Sequence, residues 1–241
     1  MSLLTALLLP ISKYSEDQPR DDHGKWTSGG NDAASRVSSR LHSEAESDGR
    51  QQLDVSYEEL TTAQGLNMSR FMNSSSTKLS EDESNALEEY TGAGYRKVNQ
   101  DLRSENGADC HICPELDSAI SKGSLPKETE VFRGADLPLE VVSSLTPGAV
   151  LSDKGYVSAS LSVRKGTSFT GVHERSWEPV VFSIKADKGS KALAVGNHGL
   201  YSEYEVLFPR NSQFQIDSVS KLRGEGLERT VVSMKYLGVA A

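Results

Sequence analysis

The sequence predicts an α+β fold, with helices in the first part of the domain and strands in the second. Ser followed three residues later by Glu, a pattern that marks helix N-termini, occurs at Ser56 and at Ser80. From Val131 onward, short apolar runs rich in Val, Ile and Phe alternate with Gly and Pro, as strands separated by turns do. Because the two kinds of signal occupy different halves, we expect a helical layer packed on a sheet rather than repeated βαβ units.

The length and charge of the chain limit the classes of partner that it can bind. Its 241 residues suffice for one hydrophobic core with an appended segment. The net charge of −8 argues against a nucleic-acid-binding surface, because phosphate contacts need clustered Lys and Arg. No apolar run approaches the roughly 20 residues that span a bilayer. We therefore expect neither a nucleic-acid partner nor a membrane span.

Residues 1–55 are predicted to form a flexible leader, and residues 56–241 the folded domain. The leader is rich in Ser, Asp, Gly, Gln and Arg and has no sustained apolar period. Within it, residues 18–30 resemble a short segment of phage head-morphogenesis and minor capsid proteins, which implies a phage capsid as a partner. A flexible linker with one exposed tryptophan, Trp26, explains the same residues, and both interpretations stay open.

Four helices are expected in the first half of the domain. Capping-box patterns open two of them at Ser56 and Ser80, and Gly92 ends the second. The third and fourth helices cover residues 94–103 and 109–122, where apolar residues recur at helical spacing. These apolar residues are Tyr95, Val98 and Leu102 in the third helix and Ile112, Leu116 and Ile120 in the fourth.

The second half is predicted to contain seven strands and one short helix. The strands are expected at residues 131–134, 155–161, 180–185, 192–195, 204–208, 214–219 and 230–236, and the helix at 139–145. A long polar loop, residues 162–177, separates two of these strands. Loops of that length are usually functional or mobile, so we expect this one to contribute to a site.

Cys110 and Cys113 flank His111 just before the fourth helix. This spacing could supply half of a metal site, but the chain has no second cysteine pair and only five histidines. A closed tetrahedral ligand set is therefore not expected. Two ordinary thiols near a helix start are the expected state; they are close enough to cross-link, but the spacing does not imply a disulfide framework.

Two glutamates lie at one end of an apolar segment, residues 201–210, which ends at Pro209. Glu203 and Glu205 are two residues apart, and in an extended segment such residues point to the same side. We therefore expect both carboxylates to face one cleft. Two carboxylates that lie so near each other raise each other's proton affinity unless cations or hydrogen-bond donors separate them. Taken alone, such a pair is most often a solvated strand end.

Two further motifs accompany this pair. Arg133–Gly134 ends an apolar strand, and Ser158–Ser160 places two serines on another. The order Arg, then Ser-x-Ser, then Glu-x-Glu, each on a strand, resembles the R-S-E class of mono-ADP-ribosyltransferases over about residues 80–232. The resemblance implies N-terminal helices packed on two short, mainly antiparallel β-sheets that form an NAD cleft.

The resemblance implies four catalytic residues. Glu205 would hold the ribose 2′-hydroxyl and stabilise the positive charge that develops on the sugar as nicotinamide leaves. Glu203 would orient an acceptor guanidinium and draw a proton from it. Arg133 would hold the pyrophosphate through its planar fork, and Ser158 would hydrogen-bond Glu205. NAD is then the substrate, and no metal is required because the leaving group already carries the charge.

Other positions match the contacts of this family with NAD or with the target protein. Phe169 falls where the family has an aromatic residue over the nicotinamide, and Tyr201 falls where an aromatic residue recognises the target together with Glu203. A second loop arginine has no clean equivalent, with Arg175 the nearest, and Ala159 replaces the middle Thr of the usual Ser-Thr-Ser. The NAD-binding set implied in this way is Arg133, Gly134, Tyr90, Tyr95, Asn99, Ser158, Phe169 and Glu205.

The function that follows from the resemblance is transfer of ADP-ribose from NAD to arginine side chains of a target protein, with release of nicotinamide. With Glu203 at the first position of the Glu-x-Glu motif, the chain resembles the arginine-modifying branch of the family. Gln at that position resembles the motif of the branch that modifies Asn or Cys. Delivery into the cytoplasm of a host cell is expected. Two alternatives remain open: an NAD glycohydrolase, with water as the acceptor, and a phage virion component without enzymatic activity.

Overall fold

The computed structural model describes residues 70–72, 75, 77–104, 110–167, 169–170, 176–196, 204–224 and 227–240. The predicted leader and the helix expected at Ser56 lie outside these residues. In the described ranges, no helix is both long enough and apolar enough to cross a membrane.

A helical layer opens the described domain. Its elements are α1 (Glu81–Glu89), a π-helical turn (Tyr90–Gly94), α2 (Tyr95–Arg103) and α3 (Cys113–Lys122). The predicted capping box is present: the Ser80 amide donates to the Glu83 carboxylate at 2.7 Å, and the Glu83 amide donates to Ser80 Oγ at 3.2 Å. Two of the amide donors that a helix start leaves without helical partners are thereby satisfied.

The expected stop at Gly92 is wrong, because the chain passes through the π-helical turn directly into α2. Gly92 adopts a non-helical conformation, with φ −77° and ψ −118°, and a residue without a Cβ reaches such angles at little steric cost. The Tyr95 amide bonds the Tyr90 carbonyl across the turn. Helical hydrogen bonding therefore continues through a kink, and the apolar faces of α1 and α2 enter the same core.

Cys110 and Cys113 form a disulfide, with their Cα atoms 5.3 Å apart. The expectation of two ordinary thiols is therefore wrong. The chain turns at His111–Ile112, and the Cys113 amide bonds the Cys110 carbonyl at 3.2 Å, which brings the two side chains within bridging distance. Among the described residues, no group of three or more His, Cys, Asp or Glu could hold a metal ion.

In the part of the chain that the structure describes, eight strands follow the helical layer. They are β1 (Thr129–Pro138), β2 (Val150–Asp153), β3 (Val157–Ser160), β4 (Trp177–Ala186), β5 (Leu193–Ala194), β6 (Glu205–Phe208), β7 (Ser212–Gly224) and β8 (Leu227–Val239). Two short helices are interspersed, α4 (Leu139–Ser144) and α5 (Val163–Thr167). The α+β prediction is thus confirmed, whereas β2 and α5 were not anticipated from the sequence.

The strands have the order β2-β7-β8-β4-β1-β3-β6-β5, and the described pairings are antiparallel except β4 with β8. β1 pairs with β4 over ten positions but with β3 only through Phe132 and Ser160. The predicted two sheets therefore appear as a five-stranded part and a three-stranded part that meet at a single residue pair.

Two hydrophobic cores lie on opposite faces of the three-stranded part. Val157, Ala159, Val206 and Phe208 face the larger core, whereas Tyr156 and Leu207 face the core shared with the helices. Side chains alternate along a strand, so Ser158, Ser160 and Glu205 share the face of the helical layer. This alternation fixes the side of the sheet on which the candidate site lies.

Candidate active site

The three sequence motifs meet because their strands are neighbours. Arg133 lies in β1, Ser158 and Ser160 in β3, and Glu205 in β6, and these strands are adjacent in the order β1-β3-β6. Ser160 pairs with Phe132 on one side and with Glu205 on the other. The register thus places residues separated by about seventy positions in the sequence within one small site, as the motif order predicted.

Ser158 contacts the glutamate directly. Its Oγ donates a hydrogen bond to Glu205 Oε1, and both side chains are buried, with 5% and 6% of their surface exposed. Ser158 pairs with Leu207 in the ladder, so its contact with Glu205 runs diagonally across two strands on one face. A buried carboxylate held in this way keeps a single rotamer, which is how a supporting residue fixes a functional one.

The guanidinium of Arg133 is part of the same cluster. Its Nη1 donates to the Ser158 carbonyl at 2.6 Å, which orients the planar group. Burial lowers the pKa of Arg133, as does the nearby Arg103, while Asp153, Tyr90 and Glu205 act in the opposite direction. An arginine side chain stays protonated even so, and the site therefore contains a buried positive charge.

Gly134 allows the α5 segment to cross β1 closely. A Cβ at this position would lie 2.3 Å from the Gly166 carbonyl oxygen and 2.9 Å from Thr170 Cγ2. A Cβ on Gly166 would in turn lie 2.5 Å from Phe132 Cβ. Only the absence of both side chains lets the two backbones approach this far. The close crossing brings Phe169 to the cleft.

The cleft has about 260 Å³ of space between protein atoms, open solvent included. Its lining residues are Phe132, Arg133, Gly134, Ser158, Ala159, Ser160, Phe169 and Glu205. Five of the residues predicted from the sequence to bind NAD are among them. The lining combines a cation, a carboxylate, two hydroxyls and two aromatic rings, a composition that suits a phosphorylated, ring-bearing ligand.

The three helical residues predicted to contact NAD lie elsewhere. Tyr90, Tyr95 and Asn99 are buried in the core between the helices and the sheet and do not line this cleft. Asn99 Oδ1 accepts from the Tyr156 amide at 2.8 Å, and its Nδ2 donates to Tyr90 Oη at 2.9 Å. Through these two hydrogen bonds, Asn99 joins the helical layer to the residue that immediately precedes β3.

Arg103 and Asp153 form a contact that sequence reasoning missed. Arg103 Nε and Nη2 donate to the two carboxylate oxygens of Asp153, each at 2.8 Å. Asp153 Oδ1 also accepts from the Gly155 amide at 2.8 Å. The turn motif Asp-x-Gly was a usable signal for this bend, but its arginine partner lies fifty residues upstream and had no sequence signal.

The structure does not test whether Glu203 and Glu205 face one cleft, because this segment is described only from Tyr204 onward. β6 begins at Glu205, and Tyr204 has φ 51°, a left-handed conformation that interrupts an extended segment. The Tyr204 carbonyl accepts from the Leu161 amide at 3.0 Å, and the Glu205 carbonyl accepts from the Val195 amide at 3.0 Å. Glu203, Tyr201 and Arg175 lie outside the described residues, so their predicted roles are not tested.

Comparison with known protein families identifies one family model. Residues 63–238 match the model described as ADP-ribosyltransferase exoenzyme. A Mycobacterium avium (strain 104) protein inferred to be an NAD(+)–arginine ADP-ribosyltransferase is 32% identical over 161 residues, which cover 65% of this chain and 18% of that protein. An NAD(+)–arginine ADP-ribosyltransferase of Enterococcus faecalis (strain ATCC 700802 / V583) is 26% identical over 154 residues, covering 60% and 30%. The chain thus spans less than a third of either relative.

Solved structures of toxins share the fold. The Vis toxin, an ADP-ribosyltransferase from Vibrio splendidus, superposes with a TM-score of 0.61 at 25% identity over 79% of this chain and 90% of that chain. One Vis structure contains agmatine. The C3 exoenzyme of Clostridium limosum superposes with a TM-score of 0.57 at 23% identity over 79% of this chain and 98% of that chain, a likeness of fold alone.

Proposed function

The chain belongs to the family of ADP-ribosyltransferase exoenzymes, and on that premise we propose that it transfers ADP-ribose from NAD to arginine side chains of a target protein. The observation that carries this proposal is the buried Glu205, held by Ser158 in a cleft beside the guanidinium of Arg133. A buried carboxylate can stabilise the positive charge that develops on the ribose, and an arginine beside it can bind the pyrophosphate of the dinucleotide.

The carboxylate of Glu205 supplies the charge that the reaction needs. The bond between the ribose C1′ and the nicotinamide nitrogen breaks, its electron pair stays with the nitrogen, and neutral nicotinamide leaves. Positive charge then develops on the ribose, as in glycoside hydrolysis. A preorganised carboxylate in a buried site stabilises that charge far more than water would, and Ser158 holds the carboxylate in one orientation.

Arg133 and its neighbours are assigned to binding. The fork of an arginine side chain binds phosphate oxygens in pairs, so Arg133 holds the pyrophosphate of NAD. The absence of a side chain at Gly134 lets the α5 segment approach β1 beside Arg133, and Phe169, just after α5, packs against the nicotinamide. Tyr90, Tyr95 and Asn99 remain proposed NAD-binding residues, although in this structure they pack in the helical core.

Arginine is proposed as the acceptor on three grounds. The names of the two relatives specify arginine, and the Vis toxin was solved with agmatine, which carries the same guanidinium group. The chain itself has Glu203 at the first position of its Glu-x-Glu motif. Glu203 would orient the guanidinium and take its proton, and Tyr201 would contact the target protein.

Two proposals concern the rest of the chain. Residues 1–55 are proposed as a leader outside the catalytic domain, and the resemblance of residues 18–30 makes a phage capsid its proposed partner. Neither proposal draws on the described structure, which begins after the leader. The proposed place of action is the cytoplasm of a target cell, where both NAD and an acceptor protein are present.

The test is to incubate the purified chain with NAD and agmatine and to measure both nicotinamide release and ADP-ribosyl-agmatine. Glu205→Ala should abolish both products. Glu203→Gln should abolish the agmatine adduct while leaving some NAD cleavage, because water needs no oriented guanidinium. Asp101→Asn, which removes an exposed ion pair with Lys97 on α2, serves as the control and should behave like the wild type.

Three other results would contradict this proposal or one of its parts. Nicotinamide release by the wild type without any adduct, with agmatine or with a cell lysate, would replace the proposal by an NAD glycohydrolase. Adduct formation that persists in Glu203→Gln would remove that residue from the acceptor site. Absence of NAD binding altogether would overturn the enzymatic assignment and leave the non-enzymatic virion component.

A further inference from the structure

An aspartate of the helical layer connects two strands of the site. Asp117, in α3, accepts a hydrogen bond from Tyr156 Oη at its Oδ1, at 2.7 Å, and pairs through its Oδ2 with Arg210 Nη2, at 2.6 Å. The Tyr156 ring is almost completely buried, whereas Asp117 and Arg210 are partly exposed. Neither contact belongs to the catalytic cluster, and no sequence motif singled out any of the three residues.

The two partners of Asp117, Tyr156 and Arg210, lie next to the ends of two strands of the site. Tyr156 immediately precedes β3, and Arg210 follows the end of β6 by two residues. In the antiparallel ladder Val157 pairs with Phe208, so Tyr156 and Arg210 lie at the same end. Glu205 pairs with Ser160 at the other end. Asp117 therefore bridges β3 and β6 from outside the ladder, at the end away from the functional carboxylate.

The ladder between β3 and β6 is short. β3 and β6 share only four residue pairs, and β3 is joined to β1 through one. Burial of both strands specifies their register, and contacts outside so short a ladder add to what holds the two strands in that register. The diagonal contact from Ser158 to Glu205 exists only in the observed register, because a shift along either strand moves the hydroxyl away from the carboxylate.

We propose that Asp117 is a positioning residue, which fixes β3 against β6 through Tyr156 and Arg210 and thereby sets the contact between Ser158 and Glu205. This inference rests on the proposed function, since the geometry that it protects is that of the assigned catalytic carboxylate. Asp117 is not one of the described residues that line the cleft, and its two partners do not line it either. Its effect on the reaction is therefore transmitted through the two strands.

The hydrogen bond from Tyr156 to Asp117 is expected to persist at neutral pH. Burial and the neighbouring Asp117 carboxylate both raise the pKa of the Tyr156 hydroxyl, so the hydroxyl remains a donor over the whole neutral range. A buried tyrosine hydroxyl that loses its acceptor is costly, and the remaining acceptor, the Cys113 carbonyl, lies at 3.2 Å. The ion pair with Arg210 is partly exposed and contributes little to stability on its own. The ion pair connects the end of β6 that lies away from Glu205 to the Asp117 carboxylate.

A positioning role predicts a specific kinetic signature. Asp117→Ala should lower kcat for nicotinamide release by roughly tenfold to a hundredfold, the loss expected for a displacement of about 1 Å at a reacting group. KM for NAD should change little, because Arg133 holds the pyrophosphate from β1. Asp117→Asn keeps an oxygen that can accept from Tyr156 but loses the ion pair with Arg210, so it should recover only part of kcat. Asp101→Ala, on the helical layer and paired with the exposed Lys97, should match the wild type.

A double-mutant cycle tests the route of transmission. If Asp117 acts through the contact of Ser158 with Glu205, Asp117→Ala should cost little further activity in a Ser158→Ala background. Losses that multiply in the double variant would overturn the proposal, since Asp117 would then act on folding or on another group. Equal kcat in Asp117→Ala and Asp101→Ala would overturn it as well.

Hydrogen exchange separates this inference from the proposed function. The amides of residues 157–160 and 205–208 should exchange faster in Asp117→Ala than in Asp101→Ala or the wild type, with the rest of the sheet unchanged. This readout needs no turnover, so a wild type without activity would refute the function while leaving the positioning role testable. Unchanged exchange in these two segments would refute the positioning role. Should Asp117→Ala fail to fold, Tyr156→Phe and Arg210→Gln each remove one arm of the bridge and take its place.

Discussion

At the scale of single residues, Glu83 is a buried carboxylate that the proposed reaction does not use. It accepts from the Ser80 amide, from Ser118 Oγ at 2.7 Å and from Lys122 Nζ at 2.6 Å. These hydrogen bonds, with Lys122 foremost, lower the pKa of Glu83 from 4.5 to about 2. The residue therefore joins the start of α1 to α3, and its ionised form is the one that the fold favours.

The predicted consequence is a stability contribution that depends on pH. Because the folded pKa lies below the unfolded value, the contribution is complete above pH 4.5 and is lost as the pH falls toward 2. Glu83→Gln should reduce the free energy of unfolding at pH 7 by about 1 kcal/mol, a value kept small because Lys122 is partly exposed. Urea unfolding at pH 7, 4 and 3 should show this difference shrinking.

The matched control is Glu88→Gln, which neutralises an exposed carboxylate on the same helix. Its unfolding free energy should follow that of the wild type at every pH. A difference between Glu83→Gln and the wild type that stayed constant from pH 7 to pH 3 would mean that side-chain shape, not ionisation, makes the contribution.

The proximity of single residues could be predicted where a motif is local, while their roles in binding and catalysis stay predictions. Arg133, Ser158 and Glu205 each lie on a short apolar strand, and the order of their motifs sufficed to bring them together. Asn99 and Asp117 were different, because no motif marks the residue that each of them bonds, Tyr156, which lies 57 and 39 positions away. Nothing in a sequence pairs such residues before the packing of the helices on the sheet is known.

At the scale of elements, the disulfide lies at the start of α3, the helix that carries Asp117. The Cys113 carbonyl lies 3.2 Å from Tyr156 Oη, so the first turn of α3 contacts the residue before β3. The bridge closes a ring of only four residues. In the chain-entropy model so small a ring stabilises a protein by about 2 kcal/mol.

We therefore expect a Cys110→Ser, Cys113→Ser double variant to lose at most about 2 kcal/mol of unfolding free energy, with kcat and KM for NAD close to those of the wild type. The measurement is urea unfolding and nicotinamide release, each with and without dithiothreitol. The reductant should destabilise the wild type and leave the double variant unaffected. Loss of turnover at unchanged stability would instead assign the disulfide a direct part in the site.

Element boundaries were less predictable than element types. The π-helical turn joins two helices because the residues after Gly92 still find helical acceptors, a long-range packing outcome that a glycine signal cannot anticipate. β6 starts one residue later than expected because Tyr204 turns into the left-handed region. The edge strand β2 is half-exposed, and only its first two residues, Val150 and Leu151, are apolar, so no sustained apolar run marked it in the sequence.

At the scale of the molecule, the five-stranded and three-stranded parts of the sheet meet at one residue pair. Arg133 lies on the first part and Glu205 on the second. An α+β domain with helices first was predictable from the segregation of helix and strand signals. The narrow junction was not, because it depends on how few pairs β1 and β3 form.

A dinucleotide held by both residues would join the two parts. A ligand that binds only the folded state stabilises it by about 2.7 kcal/mol at a concentration of one hundred times Kd, which for a domain of this size raises Tm by roughly 5–10 °C. We expect a rise of this order when NAD is added to Glu205→Gln, a variant that retains the side-chain shape and cannot supply the charge for turnover.

The contribution of Arg133 can be isolated in that same background. Arg133→Lys retains a cation but loses the planar fork that binds phosphate oxygens in pairs, so most of the rise in Tm with NAD should disappear. Arg70→Lys makes the same exchange at an exposed position ahead of α1 and should leave the rise intact. If both variants respond to NAD alike, the pyrophosphate is held elsewhere. If only Arg133→Lys loses the response, the ligand joins the two parts of the sheet through β1, and its binding energy adds to the single residue pair that connects them.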